Sequence, residues 1–199
     1  MKVVIIKYNA GNIRSVSNAL LRIGIEAEIT DDVETIRNAD KVIFPGVGEA
    51  SSTMAYLRST GLDKVICSLR QPVLGICLGM QLMCKHSEEG DADCLGIFDV
   101  PVKRFVLPQN NPDNIKIPQM GWNTITNVKQ PLFDKAEEQQ FVYFVHSYYV
   151  PLCPWTVATT THTLAYSSAL HKDNFYATQF HPEKSGSVGE AILKHFIEL

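Results

Sequence analysis

Short apolar runs alternate with amphipathic segments along the first half of the chain. Four runs have the length of buried strands, at residues 2–8, 26–30, 41–44 and 73–76. The predicted helices between and after them cover residues 13–23, a short segment capped by Asp31 or Asp32, residues 49–59 and residues 62–69. Repeated strand–helix units predict a parallel sheet with right-handed crossovers and helices on both faces.

The pattern changes after about residue 94, where strands joined by turns replace the strand–helix units. The predicted strands of this half are residues 102–107, 124–128, 142–150, 156–160, 164–167 and 175–180. A capping-box pattern at 187–190 predicts the start of a final helix, and the polar stretch 109–114 is typical of a loop. The sequence therefore predicts one α/β domain over residues 1–199, with a mostly parallel central sheet and an added antiparallel region in its C-terminal half.

Composition and charge exclude several classes of protein. The chain has 199 residues, of which 45% are hydrophobic and 20% charged, as in soluble globular domains. A net charge of −3 gives no electrostatic reason to expect nucleic acid or an anionic membrane as a partner. The apolar run at 3–6 is too short for a signal peptide, and no other run approaches a membrane span. Five cysteines without a C-x-x-C motif argue against a disulfide framework, so we expect a cytoplasmic protein.

The segment around Cys77 has the pattern of a nucleophile elbow with sulfur in place of the serine oxygen. The apolar run 73–76 stops at Cys77, and a helical pattern follows. Gly75 and Gly79 leave room where such a turn is too cramped for side chains. A helix N-terminus favours the thiolate, and the backbone N–H of Leu78 would form half of an oxyanion hole. The alternative is a small buried cysteine among apolar neighbours.

A candidate base and its orienting carboxylate follow the last predicted strand, in the sequence Gln-Phe-His-Pro-Glu at 179–183. His181 and Glu183 lie two residues apart and point the same way in an extended chain, which Pro182 favours at His181. With Cys77 they form a nucleophile, base and orienter set of the serine-protease kind. The alternative for His181 is a histidine that makes structural hydrogen bonds at a strand end.

Other polar groups suggest no metal or cofactor. Four further histidines lack a matching partner at useful spacing and are predicted to be structural or exposed: His86, His162, His171 and His195. No pair has zinc-site spacing, so no metal is expected. Gly46 and Gly48 lack the third glycine of a dinucleotide loop, and their backbone is better placed to complete the oxyanion hole. Residues 8–12, which include a predicted turn, residues 45–48 and Cys77 all fall at the carboxyl ends of predicted strands, where the sites of such sheets lie.

Together these segments resemble a known family. Residues 75–81 (Gly-Ile-Cys-Leu-Gly-Met-Gln) and 179–183 look like those of the triad-type class I glutamine amidotransferases. More closely, nearly the whole chain is similar to the glutaminase subunits of imidazole glycerol phosphate synthase. Further segments that fit this pattern are residues 8–16, 45–48, 118–123, 143–149 and 181–186. The resemblance implies a three-layer, flavodoxin-like class I amidotransferase fold.

The resemblance also implies a reaction. Cys77 attacks the side-chain amide carbon of glutamine, His181 protonates departing ammonia, and water cleaves the glutamyl thioester to glutamate. In the family, Gln81 and the backbone around Ser147 and Tyr148 hold the amino-acid end of the substrate. Backbone N–H groups of Leu78, Val47 and Gly48 are the expected oxyanion hole. A peptide flip near Val47, driven by a partner, would complete that hole.

The implied partner is a (β/α)8-barrel cyclase, which forms a heterodimer with the glutaminase. The cyclase uses the ammonia to make imidazole glycerol phosphate and an aminoimidazole carboxamide ribonucleotide in histidine biosynthesis. The candidate docking residues are Asn12, Trp122, Tyr143 and Lys184. Trp122, in a predicted polar turn, suits an interface anchor, and its alternative is a local core filler. Lys7 and Gln119 depart from the family pattern, which has aspartate and histidine there, and both are expected near the docking face.

Three rival functions stay open at the level of sequence. A stand-alone γ-glutamyl hydrolase or peptidase with the same triad would turn over without a partner. A catalytically silent interaction module has no reason to keep Cys77, His181 and Glu183 together. A glutaminase subunit for another acceptor, as in pyridoxal phosphate or tryptophan synthesis, fits less well with the Met-Gly-Trp-Asn segment at 120–123 and with Pro-Gly-Val-Gly at 45–48.

Overall fold

The structure, a computed structural model, describes residues 1–8, 12–111 and 114–199. Residues 9–11 of the predicted turn and residues 112–113 of the predicted polar loop lie outside the described residues. In the first half the elements are β1 (Val3–Ile6), α1 (Ile13–Arg22), β2 (Ala27–Thr30), α2 (Val33–Arg37), β3 (Lys41–Phe44), α3 (Ala50–Thr60), α4 (Leu62–Ser68), β4 (Val73–Ile76) and α5 (Leu78–Met83). The strand–helix alternation predicted for this half is confirmed to within two residues at each bound that the sequence predicted.

In the second half strands predominate, as predicted. The elements are β5 (Cys84–Ser87), β6 (Ala92–Asp93), β7 (Phe98–Arg104), β8 (Gln119–Thr124), β9 (Phe141–His146), β10 (Tyr148–Tyr149), β11 (Thr156–Thr161), β12 (Ala165–Lys172), β13 (Phe175–Thr178) and α6 (Gly186–Glu198). Two short 3-10 turns, Lys135–Glu137 and Pro182–Lys184, complete the elements.

A seven-stranded sheet in the order β11-β12-β13-β4-β3-β1-β2 forms the central layer. The five strands from β13 to β2 are parallel, and β11, β12 and β13 extend the sheet by antiparallel pairing. The expectation of a mostly parallel sheet with an antiparallel addition is therefore confirmed. Because β13 pairs with β4, the last strand of the sequence lies beside the strand that leads to Cys77.

Successive strand residues face opposite layers, which places helices on both faces of the sheet. Val3 and Ile5 of β1 pack with buried residues of α1 and α6. Val4 and Ile6 pack with buried residues of α3 and α4 on the other face. The predicted three-layer architecture follows from this alternation. Across the described ranges, no helix has both the length and the apolar character that crossing a bilayer requires.

Two smaller sheets were not predicted in their observed form. One has the strand order β10-β7-β5-β6, and the other is the antiparallel pair β8–β9. The predicted strand at 124–128 is wrong, because β8 ends at Thr124, and the prediction of 102–107 is displaced from β7. The glycine at position 121 favoured the prediction of a turn in this segment. In the structure Gly121 lies within β8 with a φ of 128°, and β8 pairs with β9 along its whole length. Trp122 consequently lies in a strand, not in the predicted turn.

The predicted capping box at 187–190 is also wrong. The final helix begins at Gly186, and Ser187 lies inside its first turn. The preceding Ser185 has no capping hydrogen bond to the helix. Its hydroxyl instead donates to the His181 carbonyl at 2.7 Å and accepts from the Tyr143 N–H at 3.0 Å. Because the Ser185 side chain makes these tertiary contacts near the site, it does not cap the helix.

Candidate active site

The pairing of two parallel strands brings the predicted nucleophile and base together. Ile76 of β4 is opposite Thr178 of β13 in the sheet register, so both strands end at the same edge. The Cys77 N–H donates to the Thr178 carbonyl at 2.7 Å, which continues the pairing by one residue. His181 follows three residues after Thr178 and lines the same cavity as Cys77. Residues more than a hundred positions apart therefore meet at one strand end.

Cys77 occupies a strained turn between β4 and α5. Its φ of 54° and ψ of −107° are unusual for a residue with a side chain, and such strain is concentrated at functional sites. The prediction that glycines make room for this turn is confirmed. A Cβ on Gly79 would collide with the Phe44 carbonyl, and a Cβ on Gly75 would lie 3.0 Å from the Gly79 backbone. The chain can thus adopt this elbow conformation at Cys77 because Gly75 and Gly79 have no side chains.

His181 and Glu183 form a buried hydrogen-bonded pair. His181 is extended, with a φ of −98° and ψ of 95°, as Pro182 was expected to require. Its Nδ1 lies 2.7 Å from Glu183 Oε1, so the carboxylate accepts and fixes the ring tautomer. The Asn12 side-chain amide donates to the same carboxylate oxygen. The ring nitrogen Nε2 is buried and, within the described part of the chain, has no nitrogen or oxygen partner.

The environment of His181 favours the imidazolium. Burial alone would lower its pKa, but the nearby Cys77 sulfur and the hydrogen bond to Glu183, together with the charges of both, raise the pKa to about 10. The ring is therefore protonated at neutral pH beside the sulfur. A protonated histidine next to a cysteine is the arrangement that stabilises a thiolate nucleophile.

A cavity of about 380 Å³ lies over this pair, which is large enough for a small organic molecule. Most of the predicted site residues line it: Val47, Gly48, Cys77, Leu78, Gln81, Ser147, Tyr148 and His181. Glu183 lies behind His181 and is not part of the wall. No cluster of three histidine, cysteine, aspartate or glutamate side chains suited to a metal ion occurs among the described residues.

The predicted oxyanion donors are not arranged as an open hole. The Leu78 N–H donates to the Gly46 carbonyl at 3.4 Å, so a backbone oxygen faces the position where a substrate oxygen would have to lie. Gly48 has a φ of 131°, a conformation that glycine adopts readily. The buried Tyr8 hydroxyl donates to the Pro45 carbonyl and holds the start of this loop. Burial raises the pKa of Tyr8, and the nearby Cys77 raises it further. The hydroxyl therefore keeps its proton and stays a hydrogen-bond donor.

Two residues of the cavity wall were missed by the sequence analysis. Glu89 is half-buried, and burial raises the pKa of its carboxyl although the Ala50 N–H donates to Oε2 at 2.9 Å. His146 is buried, which lowers its pKa to about 4, and its Nδ1 donates to the Tyr148 carbonyl at 2.7 Å. His146 is therefore neutral and supports the cavity backbone. No local pattern distinguished Glu89 from the exposed Glu88 beside it.

The four predicted docking residues fall into two groups. Trp122 and Tyr143 are cross-strand partners whose rings lie 6.0 Å apart, and the Lys184 ammonium lies 5.8 Å from the Tyr143 ring. Trp122 is 56% exposed, and Met120 on the same face of β8 is 66% exposed. We name Met120, Trp122, Tyr143 and Lys184 the ribbon face. Asn12 has a different position, because its amide is bonded to Glu183 behind the triad histidine.

Lys7 and Gln119, the two residues that depart from the family pattern, lie in different environments. Lys7 is exposed, as expected for a residue near a docking face. Gln119 is buried, and its side-chain oxygen accepts from the Tyr166 hydroxyl at 2.9 Å. Gln119 therefore lies beneath the ribbon face and points into the core.

Comparison with known proteins agrees with this site. The family model of glutamine amidotransferase class-I matches residues 4–199. The chain is 64% identical to the imidazole glycerol phosphate synthase subunit HisH of Bacteroides thetaiotaomicron, with 100% of both chains covered. It is 44% identical to the subunit of the same name from Idiomarina loihiensis, over 100% of this chain and 98% of that one.

Solved structures show the same fold at lower identity. A glutamine amidotransferase structure aligns with a TM-score of 0.73 at 20% identity and covers 98% of this chain and 97% of that chain. A glutamine amidotransferase from Thermotoga maritima aligns with a TM-score of 0.63 at 16% identity, over 100% of this chain and 81% of that one. The class I amidotransferase fold expected from the sequence is therefore confirmed.

The ionisation of His181 should depend on the sulfur of Cys77. In the Cys77→Ala variant the sulfur and its charge are gone, so the His181 pKa should fall from about 10 towards its ordinary value of 6.5. Because the native pKa is raised, the wild-type ring stays protonated through neutral pH and the variant ring loses its proton there. NMR titration of the ring resonances measures both.

A matched control is Cys67→Ala, since Cys67 is an exposed cysteine on α4. This variant should leave the His181 titration unchanged. A titration that is identical in the wild type and in Cys77→Ala would contradict the interaction.

Proposed function

The chain belongs to the glutamine amidotransferase class-I family and, within it, to the family of imidazole glycerol phosphate synthase subunit HisH, and from this membership we propose that it is the glutaminase subunit of an imidazole glycerol phosphate synthase. It hydrolyses glutamine to glutamate and passes the ammonia to a cyclase subunit in histidine biosynthesis. The observation that carries the assignment is a hydrogen-bonded His181–Glu183 pair beside Cys77 at a cavity, in a chain with full-length similarity to HisH proteins.

The proposed chemistry begins at the sulfur. The Cys77 thiolate attacks the side-chain amide carbon of glutamine, and the carbonyl oxygen takes negative charge. When the carbon–nitrogen bond breaks, the His181 imidazolium gives its proton to the nitrogen, which leaves as ammonia. A water molecule then attacks the thioester and gives a proton to the neutral His181, so glutamate and the thiolate are released. Glu183 holds the ring and stabilises its charged form throughout.

The cavity wall supports a specific orientation of the substrate. Glu89 offers a carboxylate that suits the α-ammonium group of glutamine. Gln81, Ser147 and Tyr148 line the same cavity and are the proposed partners of the rest of the amino-acid end. With the α-carbon held there, the side-chain amide extends towards Cys77.

The oxyanion hole requires a rearrangement. The Leu78 N–H is occupied by the Gly46 carbonyl, so the peptide that carries this oxygen has to turn before Leu78 can serve an oxyanion. Val47 and Gly48 are the proposed source of the second donor. We therefore expect a slow glutaminase in the free subunit and a faster one when a partner repositions residues 45–48.

The proposed partner is a (β/α)8-barrel cyclase, which forms a heterodimer with this chain. Ammonia that reaches water at neutral pH becomes ammonium, which is not a nucleophile, so a useful glutaminase needs an acceptor site connected to it without bulk water. The ribbon face supports docking next to the triad, because Lys184 follows Glu183 directly and Trp122 is a large exposed aromatic. Asn12 is proposed to transmit contacts at that surface to Glu183.

The experiment that tests the function is reconstitution with the cyclase subunit of the same organism. Glutamate formation is measured for the chain alone, for the complex, and for the complex with the nucleotide substrate of the cyclase. The proposal requires copurification and stimulation by the cyclase. Equal and rapid turnover without a partner would instead favour a stand-alone γ-glutamyl hydrolase. Failure to bind this cyclase, combined with stimulation by another synthase, would favour a different acceptor.

Removal of the nucleophile should abolish turnover without preventing assembly. In the complex, Cys77→Ala should lower glutamate formation by at least about a thousandfold, because no other group can form the thioester. The cyclase reaction supplied with free ammonium should stay close to the wild-type rate in the same complex. Substantial glutamine-dependent activity in this variant would contradict the assignment of Cys77.

The role of Glu89 can be tested against its neighbour. Glu89→Gln keeps an oxygen for the Ala50 N–H but loses the charge, so we expect KM for glutamine to rise about tenfold with a smaller change in kcat. Glu88→Gln is the matched control, since Glu88 is exposed and accepts from the Arg104 N–H outside the cavity. Steady-state kinetics of both complexes give the comparison. Equal KM values for the two variants would remove Glu89 from the substrate site.

The ribbon face should dominate the affinity for the cyclase. Trp122→Ala should weaken binding by about thirtyfold, as expected for a central aromatic anchor. Leu199→Ala is the control, because Leu199 is an exposed apolar residue next to Lys41 at the amino end of β3, the opposite edge of the sheet. Isothermal titration calorimetry with the cyclase measures both. An unchanged affinity in Trp122→Ala would place the docking surface elsewhere.

A further inference from the structure

Gln179 is a buried polar residue next to the nucleophile that the mechanism has not used. It follows β13 directly and has no exposed surface. Its side-chain Nε2 lies 3.7 Å from Cys77 Sγ, and its Oε1 lies 2.9 Å from Gln81 Nε2. One amide therefore contacts both the sulfur and a side chain of the cavity wall.

The direction of these hydrogen bonds follows from one backbone carbonyl. The Tyr148 carbonyl can only accept, so the Gln81 atom 3.1 Å away has to be the Nε2 donor. The same Nε2 contacts Gln179, so the Gln179 atom there has to be the accepting Oε1. The remaining end of Gln179, which faces Cys77, is then its NH2 group. The orientation of both amides is thus fixed by the network and needs no separate assumption.

The sulfur of Cys77 consequently lies next to a donor. The Gln179 amide faces it with an N–H group, and the His181 ring lines the same cavity. The one acceptor recorded for its S–H is the Val145 carbonyl at 3.9 Å, which is a long and weak contact within the described chain. Hydrogen bonds donated to a charged acceptor are stronger than those between neutral groups. A hydrogen bond donated by Gln179 therefore stabilises a charged sulfur more than a neutral one.

The amide of Gln81 is also constrained by this network. Both recorded contacts of its Nε2 are to protein oxygens, which leaves its Oε1 as the atom that Gln81 can offer to the cavity. A side chain in that position would accept from a donor group of the bound molecule. Gln81 and Gln179 therefore form a chain of hydrogen bonds that connects the cavity wall to Cys77.

We propose that Gln179 is a positioning residue of the nucleophile, which donates to the Cys77 sulfur and is itself locked by Gln81 on the wall of the cavity. This inference concerns the same site as the proposed glutaminase function and deepens it. Gln179 does not touch substrate. Its hydrogen bond stabilises the charged form of the sulfur relative to the neutral form and holds the sulfur at the cavity that Gln81 lines.

The test uses alkylation of Cys77 by iodoacetamide over a range of pH, resolved by mass spectrometry of the peptides. The other four cysteines serve as internal references. Gln179→Met keeps the size of the side chain but removes the donor, so the acid limb of the Cys77 rate profile should move about one unit to higher pH. The other titratable groups near the sulfur or on the cavity wall are unchanged in this variant: His181, Glu183, His146, Tyr8, Tyr148 and Glu89.

Thr178→Val is the matched control, since Thr178 is a buried neighbour whose hydroxyl donates to the Phe180 carbonyl and not to the sulfur. It should cost stability without moving the Cys77 profile. If Gln179→Met is folded by circular dichroism and its profile coincides with that of the wild type, the proposal is wrong. If Gln179→Met does not fold, Gln179→Glu replaces it, and an ionised carboxylate beside the sulfur should move the acid limb in the same direction. An unmoved limb in that variant would also overturn the proposal.

A double-mutant cycle tests whether the hydrogen bond from Gln81 holds Gln179 in place. Gln81→Met should produce part of the shift seen in Gln179→Met, and the double variant should shift no further than Gln179→Met alone. Additive shifts would show that the two amides act independently and would remove Gln81 from the proposal. Alkylation needs neither glutamine nor a partner, so its outcome is separate from that of the reconstitution experiment that tests the glutaminase function.

Discussion

The parallel pairing of β4 with β13 is the interaction on which the site depends. These strands are separated by about a hundred residues of sequence, yet their register aligns Ile76 with Thr178. Both chains leave the sheet at the same edge, one into the strained elbow at Cys77 and the other into the segment that carries His181. The apolar strand residues and the two helical layers that bury them therefore do more than stabilise the fold. They hold Cys77 and His181 at a common strand end.

The elbow adds a second constraint, which is steric. Cys77 adopts a backbone conformation that costs of order 1–3 kcal/mol for a residue with a side chain. This conformation persists because Gly79 packs against the Phe44 backbone and Gly75 packs against Gly79. The short helix that follows is buried along its whole length. Packing thus maintains a local geometry that the sequence of the turn would not adopt by itself.

The sequence was sufficient for the parallel part of the fold and for placing Cys77, His181 and Glu183 at one site, because both have local signals. Apolar runs of strand length and helical spacing mark the strand–helix units, and Cys77, His181 and Glu183 lie in short patterns with a chemical reason. The β8–β9 pair was not predictable in this way, since Gly121 suggests a turn and only pairing with β9 makes the segment a strand. Glu89 lacks any local pattern, and the segments that contain His146 and Gln179 gave no sign of the contacts these two side chains make. Their importance depends on which groups they face across the cavity, and that depends on tertiary structure.

The hydrogen bond from the Leu78 N–H to the Gly46 carbonyl has a consequence for glutamine consumption in the cell. At 3.4 Å it is a weak bond, worth at most about 1 kcal/mol, which is small compared with the energy available from a standard protein interface. In the proposed function, a single peptide therefore holds the oxyanion site closed at little energetic cost, and association with the partner would turn it. Copies of this chain made in excess of the proposed partner would then leave glutamine unhydrolysed.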